Sequence, residues 1–173
     1  MTYWEERYRK GGFSGAGSRG AEAREKIALV NEVAGINRVE TLLDLGCGDG
    51  HVAAGLSVSR YTGYDPAPAA VALAREERPS GDFITQLPPE GTRFDLVLSM
   101  DVMFHLVKDA DYQAYLAALF GYGDLVLVYG TDKHLEGHHH VLHREWTKDI
   151  PPGWSRRELP TTFKRAWLLR RDR

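Results

Sequence analysis

Residues 41–50 read TLLDLGCGDG, and the rest of the chain is organised around them. Leu42, Leu43, Asp44 and Leu45 make a short apolar run of the kind that forms a buried parallel strand. Glycines at 46, 48 and 50 predict a tight turn with a ligand lying on it, because glycine accepts positive φ and lets backbone approach closely. His51 to Ser57 reads as a helix leaving that turn, its free N–H groups and positive pole facing the same spot. A second short strand, Tyr61 to Tyr64, ends on Asp65. An acid at that place is where a doubly wound sheet holds the two hydroxyls of a ribose. The pattern predicts an α/β sheet that binds a nucleoside cofactor.

Two cofactor chemistries compete for such a sheet. The dinucleotide fingerprint is G-x-G-x-x-G, whereas the spacing here is G-x-G-x-G with Asp44 on the strand before it. A carboxylate pointing into the site repels a pyrophosphate but suits an α-ammonium group. The stretch LLDLGCGDG resembles the first motif of the class I S-adenosylmethionine-dependent methyltransferases, and Asp65 matches their ribose-binding acid. Phe94 to Ser99, followed by Met100 to Leu106, resembles their fourth-strand segment. The likeness runs over nearly the whole chain, from the W-E-E-R-Y start to the last strand pair. It implies an α/β, doubly wound (Rossmann-like) seven-stranded, mostly parallel sheet with a C-terminal antiparallel hairpin. It also implies S-adenosylmethionine as methyl donor and S-adenosylhomocysteine as product. A nicotinamide oxidoreductase is disfavoured by the glycine spacing and the terminal hairpin. A non-catalytic, methyltransferase-like helper subunit stays open, since intact Asp44, Gly46, Gly48 and Asp65 argue only weakly against it.

A chain of 173 residues suits one domain with one core. Hydrophobic content of 43% and charged content of 27% are those of an ordinary globular protein. A formal charge of -2 and a pI near 6.4 give no global pull toward nucleic acid or anionic membrane. The single cysteine, Cys47, excludes an internal disulfide and a multi-cysteine zinc site, and reads as a small packing residue inside the turn. No apolar leader and no membrane-length stretch is present, so the expectation is a cytoplasmic protein, monomer or homodimer.

Along the chain, Thr2 to Lys10 predicts a short helix with Tyr3, Trp4 and Tyr8 as an aromatic face. The glycine-rich residues 11–20 read either as a flexible linker or as a lid anchored by Phe13, Ser14 and Arg19. Trp4 with Tyr8 resembles the W-x-x-x-Y helix with which small methyltransferases close over the cofactor, and Arg19 could pair with the methionine carboxylate. Helices are expected at Ala21–Ala34, capped by Gly35, at Ala67–Glu76 and at Asp109–Phe120. Strands are expected at Phe83–Thr85, Phe94–Ser99, Leu125–Tyr129, Trp154–Leu159 and Thr162–Leu169. Residues 88–92 look too short for a helix, so one side of the sheet should be thinly covered.

The resemblance carries cofactor contacts onto Asp44, Gly46, Cys47, Gly48, Asp65, Pro66 and Met100, with Gln86 as a loose match for the adenine contact. It puts Asp101 beside the sulfonium and His105 toward the acceptor, as candidate bases. Residues 130–146 carry five of the seven histidines: His134, His138, His139, His140 and His143. His140 and His143 could chelate a metal, but a closed site needs further ligands and H-E-x-x-H is missing. The loop is otherwise either solvated or an acceptor-recognition element, with His143, Arg144 and the neighbouring Tyr129 as candidate contacts. The basic end, Arg156 to Arg173, reads as an edge hairpin protected by charge, or as a weak phosphate- or RNA-facing strip. The motifs of DNA base methylation are missing, so a small metabolite or sugar-like molecule, not DNA, is the expected acceptor.

Overall fold

The structure is a computed structural model that describes residues 3–138 and 140–172, with only the backbone described for 136–138. Thr2, His139 and Arg173, which figure in the readings above, lie outside the described residues. The elements run α1 (Tyr3–Arg9), α2 (Gly20–Asn37), β1 (Thr41–Leu45), β2 (Arg60–Tyr64), α3 (Pro68–Glu77), β3 (Asp82–Ile84), β4 (Leu96–Met100), α4 (Asp109–Gly121), β5 (Leu125–Gly130), β6 (Leu135–His138), β7 (Val141–His143), β8 (Trp154–Leu159) and β9 (Arg165–Arg171).

Seven strands form one sheet in the order β3-β2-β1-β4-β5-β9-β8. The first five are parallel, and β9 runs antiparallel to both β5 and β8, giving the expected terminal hairpin. Strand order reverses at β1, which lies between β2 and β4, so a crevice opens at the carboxyl ends of these strands. Side chains of β1 alternate between two cores. Leu42 packs with α2 and α3, whereas Leu43 and Leu45 pack with α4, Trp146 and Trp167. Period-two alternation puts Asp44 on the α2/α3 face, at the rim of the crevice. No helix is described between β3 and β4, and Trp146 and Trp154 help α4 cover that face.

Three elements differ from the sequence reading. His51–Ser57 is not a helix; only a single 3-10 turn, Ala53–Gly55, forms there. Asn31 of α2 takes the backbone groups a helix would use: its amide donates to Gly55 O, and its Oδ1 accepts from Ser57 N. Helix α2 does not stop at Gly35. It continues to Asn37, and Arg38 takes the left-handed cap conformation, φ 52°. Residues 130–146 are not an open loop, since β6 and β7 pair as a separate two-stranded ribbon. The basic end is largely self-paired: Arg165 with Glu158, Arg171 with Asp124, and Arg170 with Asn37. No described helix is long and apolar enough to cross a membrane.

Candidate active site

The turn after β1 is fastened to β2: Gly46 N and Cys47 N both donate to Tyr64 O, at 2.7 and 3.0 Å. Gly46 has φ 87°, and a Cβ there would lie 2.6 Å from Val102 Cγ2. Gly48 has φ 56°, and its open face is occupied by the Ser14 hydroxyl, with Tyr8 Oη next to it. Any side chain at 48 would therefore be both strained and blocked. The Cys47 thiol points back into the core, where burial pushes it well above its ordinary pKa, so it is an inert packing group.

Two buried carboxylates stand at the strand ends. Asp44 is 3% exposed; Tyr61 Oη donates to its Oδ2 at 2.8 Å, and its Oδ1 has no partner among the described residues. Burial pushes its pKa up to about 6. Asp65 is 8% exposed and accepts from Gly48 N and Ala67 N, at 3.1 and 2.9 Å. Burial again dominates and raises it to about 6. Pro66 and Gln86 are exposed, and Met100 is half-buried at the end of β4.

The N-terminal segment lies over this turn. Tyr8 Oη meets Ser14 Oγ at 2.9 Å, Ser14 N donates to Asp49 Oδ2 at 3.0 Å, and Asp49 N donates to Ser14 Oγ at 2.9 Å. Arg19 pairs with the same carboxylate at 2.7 Å. Although burial works against it, Arg19 and Ser14 hold the Asp49 carboxyl below its ordinary value. Asp49 is one residue that sequence reasoning missed. It sits inside the glycine motif, so the motif itself was the available signal. Trp4 packs against Tyr8 and meets the His105 ring edge-on, with centroids 5.9 and 4.7 Å away.

Past β4 the chain is strained, with Asp101 at φ 62°. Its Oδ2 accepts from Lys26 Nζ at 2.7 Å and Lys164 Nζ at 2.8 Å, while its Oδ1 is buried without a partner. Lys26, on α2, is 1% exposed and also donates to Gly17 O. Lys164 makes a second pair with Glu22 at 2.5 Å. Lys26 was not singled out in the sequence, because helical periodicity alone hides a buried cation, and Lys164 was read only as part of the basic C-terminal end. His105 Nδ1 lies 3.3 Å from His140 O. A carbonyl can only accept, so Nδ1 carries the proton and Nε2 the lone pair. Burial lowers the His105 pKa to about 4, leaving the ring neutral at pH 7. His143 bonds Thr131 Oγ1 at 2.6 Å, and burial with Lys133 and Lys164 lowers it too. Arg144 does not face the crevice: its guanidinium clamps Leu106 O, Val107 O and Asp109. Tyr129 is buried, with its hydroxyl on Glu25. No group of three potential metal ligands occurs among the described residues.

Residues 42–122 match the family model described as methyltransferase domain. The ubiquinone biosynthesis O-methyltransferase of Methylobacterium sp. (strain 4-46) is 33% identical over 82 residues, which are 42% of this chain. The match spans only 33% of that relative's length. The methyltransferase domain of bacterial CtHen1-C superposes with a TM-score of 0.71 at 17% identity, over 87% of this chain and all of that one. Magnesium protoporphyrin IX methyltransferase from Synechocystis PCC 6803, solved with bound S-adenosylhomocysteine, gives 0.67 at 16% identity, over 96% and 94% of the two chains. The chain thus carries a methyltransferase domain in the Rossmann-like setting just described. Over residues 42–122 it is similar to the class I S-adenosylmethionine-dependent methyltransferases.

Proposed function

We propose that the chain transfers a methyl group from S-adenosylmethionine to an oxygen or nitrogen of a small-molecule acceptor. The observation that carries this reading is the buried, half-unpaired carboxylate of Asp44 beside Asp65 and the side-chain-free Gly48. An unpaired carboxylate oxygen suits the α-ammonium of the donor, the second acid suits its ribose hydroxyls, and the glycine leaves room for its backbone-hugging chain. The donor supplies an electrophilic methyl group on a sulfonium. Asp44, Gly46, Gly48 and Asp65 would hold it, with Pro66, Met100 and Gln86 flanking.

Tyr8 and Ser14 now rest against Gly48, so the segment around residues 11–19 must lift for entry. Gly11 and Gly15, at φ 78° and 96° with open space about them, are its natural hinges. Arg19 would exchange Asp49 for the donor carboxylate. His105, neutral and with Nε2 free to accept, assists removal of a proton only from an acceptor already inclined to lose it, because a base with a pKa of about 4 is weak. Asp101, held by two lysines, suits orienting better than abstraction. Alignment of the acceptor supplies most of the acceleration in such a displacement. The likeness to the ubiquinone and magnesium protoporphyrin enzymes supports a small-molecule acceptor.

The test is thermal unfolding with S-adenosylmethionine, S-adenosylhomocysteine, NAD or ATP. A ligand at a hundred times its Kd adds about 2.7 kcal/mol, raising the midpoint by roughly 5 to 11 °C for a chain of this size. A shift with the first two alone is expected. A shift with NAD alone overturns the reading, and no shift with any ligand favours the helper subunit.

A further inference from the structure

The crevice beyond the donor side is lined by aromatic rings and a cluster of ion pairs. Its wall is made of flat rings: Phe104 lies 4.4 Å from His105 and 5.1 Å from His143, centroid to centroid, and Trp4 closes on His105 from the lid. Both imidazoles are neutral at pH 7, His105 through burial above all, so the wall behaves as π surface and not as charge.

Beside it stands the ion cluster. Lys26 and Lys164 face Asp101 and Glu22, two cations against two anions, with Glu25 tied to Tyr129 and to the backbone of Thr162 and Phe163. Lys26, Lys164, Asp101 and Glu22 are neutral in sum, and Glu25 is taken up by Tyr129 and the backbone of Thr162 and Phe163, so neither an ammonium nor a phosphate guest would find an unopposed partner. Lys26, 1% exposed, bonds Asp101 and Gly17 O through its Nζ, which has the Tyr129 ring centroid 5.1 Å away; two further groups in the cluster remain incompletely bonded. Asp101 Oδ1 is buried without a donor among the described residues. Lys164 Nζ has two carboxylate partners, and among the described residues its third N–H is left with the ring faces of Phe104 and Tyr129, whose centroids lie 6.0 and 5.9 Å from Nζ. One spare acceptor and one spare donor, side by side, match a hydroxyl, which both donates and accepts.

We propose, resting on the methyl-transfer reading, that this subsite takes a flat aromatic hydroxyl compound, its ring against Phe104 and His143 and its oxygen between Lys164 and Asp101. The weakness of His105 as a base points the same way. An aromatic hydroxyl is far more acidic than a sugar hydroxyl and needs little help to release its proton.

The experiment measures binding of three matched probes to the protein saturated with S-adenosylhomocysteine, by calorimetry: 2-naphthol, 2-methoxynaphthalene and 2-decalol. The first has ring and hydroxyl, the second lacks the donor proton, and the third lacks the π face. The expected result is 2-naphthol binding about tenfold more tightly than either of the others. Lys164→Met should remove about tenfold of that affinity, Lys164→Arg should restore it, and Phe104→Ala should weaken both naphthalene probes. Unchanged binding of S-adenosylhomocysteine certifies each variant as folded. Equal affinity for the three probes, or 2-naphthol binding indifferent to Lys164→Met, overturns the proposal. If S-adenosylhomocysteine does not bind at all, the methyl-transfer reading fails, and the same probes titrated without it still decide the subsite.

Discussion

Asp44→Asn isolates the electrostatic stress on the donor side of the site. The wild-type carboxyl is wholly buried, with one oxygen on Tyr61 and the other unpaired, and burial raises its pKa from 3.8 to about 6. A folded-state pKa above the unfolded one means that its favourable contribution is fully present below about pH 3.8 and is lost as pH rises through about 6. That rise corresponds to about 3 kcal/mol by pH 8, of which about 2 kcal/mol is lost between pH 4 and pH 8. Asparagine does not titrate. Its own unpaired amide costs about 1–3 kcal/mol, but equally at both pH values, so it cancels in the comparison. His105, which is not among the groups acting on Asp44, titrates alike in both proteins and cancels too. Thermal unfolding of wild type and variant at pH 4 and pH 8 should therefore show the variant gaining about 2 kcal/mol on the wild type. That is roughly 4 to 9 °C in relative midpoint. The same substitution should abolish the stabilisation by S-adenosylhomocysteine, because the ammonium loses its counter-charge. A midpoint difference that does not change with pH would refute the claim that Asp44 is held as a stressed anion awaiting a cation.

Two other predictions concern packing and the lid. A Cβ at Gly63 would lie 2.7 Å from Phe83 Cδ1 and 2.9 Å from Cys47 Sγ, so Gly63→Ala should cost about 1–3 kcal/mol in a denaturant titration. Adding Cys47→Ala should return part of that loss, and a Gly63→Ala protein as stable as wild type would contradict the packing described. Asp49→Asn removes the carboxylate that holds both Ser14 N and Arg19, so amide exchange over residues 12–19 should quicken by about tenfold, the equivalent of about 1.4 kcal/mol. Unchanged exchange there would show that the segment is held by something other than Asp49.

The sheet and the glycine turn with its two flanking carboxylates were legible in the sequence because they are local. Apolar runs for buried strands, glycines at fixed spacing, and an acid at a strand tip each need only their own neighbours to be recognised. The acceptor half was legible only in part. His105 and Asp101 were picked out by their place after β4, but what they can do was set by residues distant in sequence. Lys26 comes 75 positions before Asp101 and Lys164 63 after it, and together they turn a candidate base into a paired anion. Arg144, expected at the acceptor, is drawn instead to carbonyls of the segment after β4. The helix expected after the glycine turn gave way to a side chain of α2.

The sequence by itself therefore determined the strand pattern, the glycine turn and the class of protein. Tertiary structure alone decided which charges meet, which histidine is neutral, and that the N-terminal segment closes on Gly48 through Asp49. The physical reason is that burial and ion pairing depend on groups brought together from distant parts of the chain, and no local pattern records that meeting.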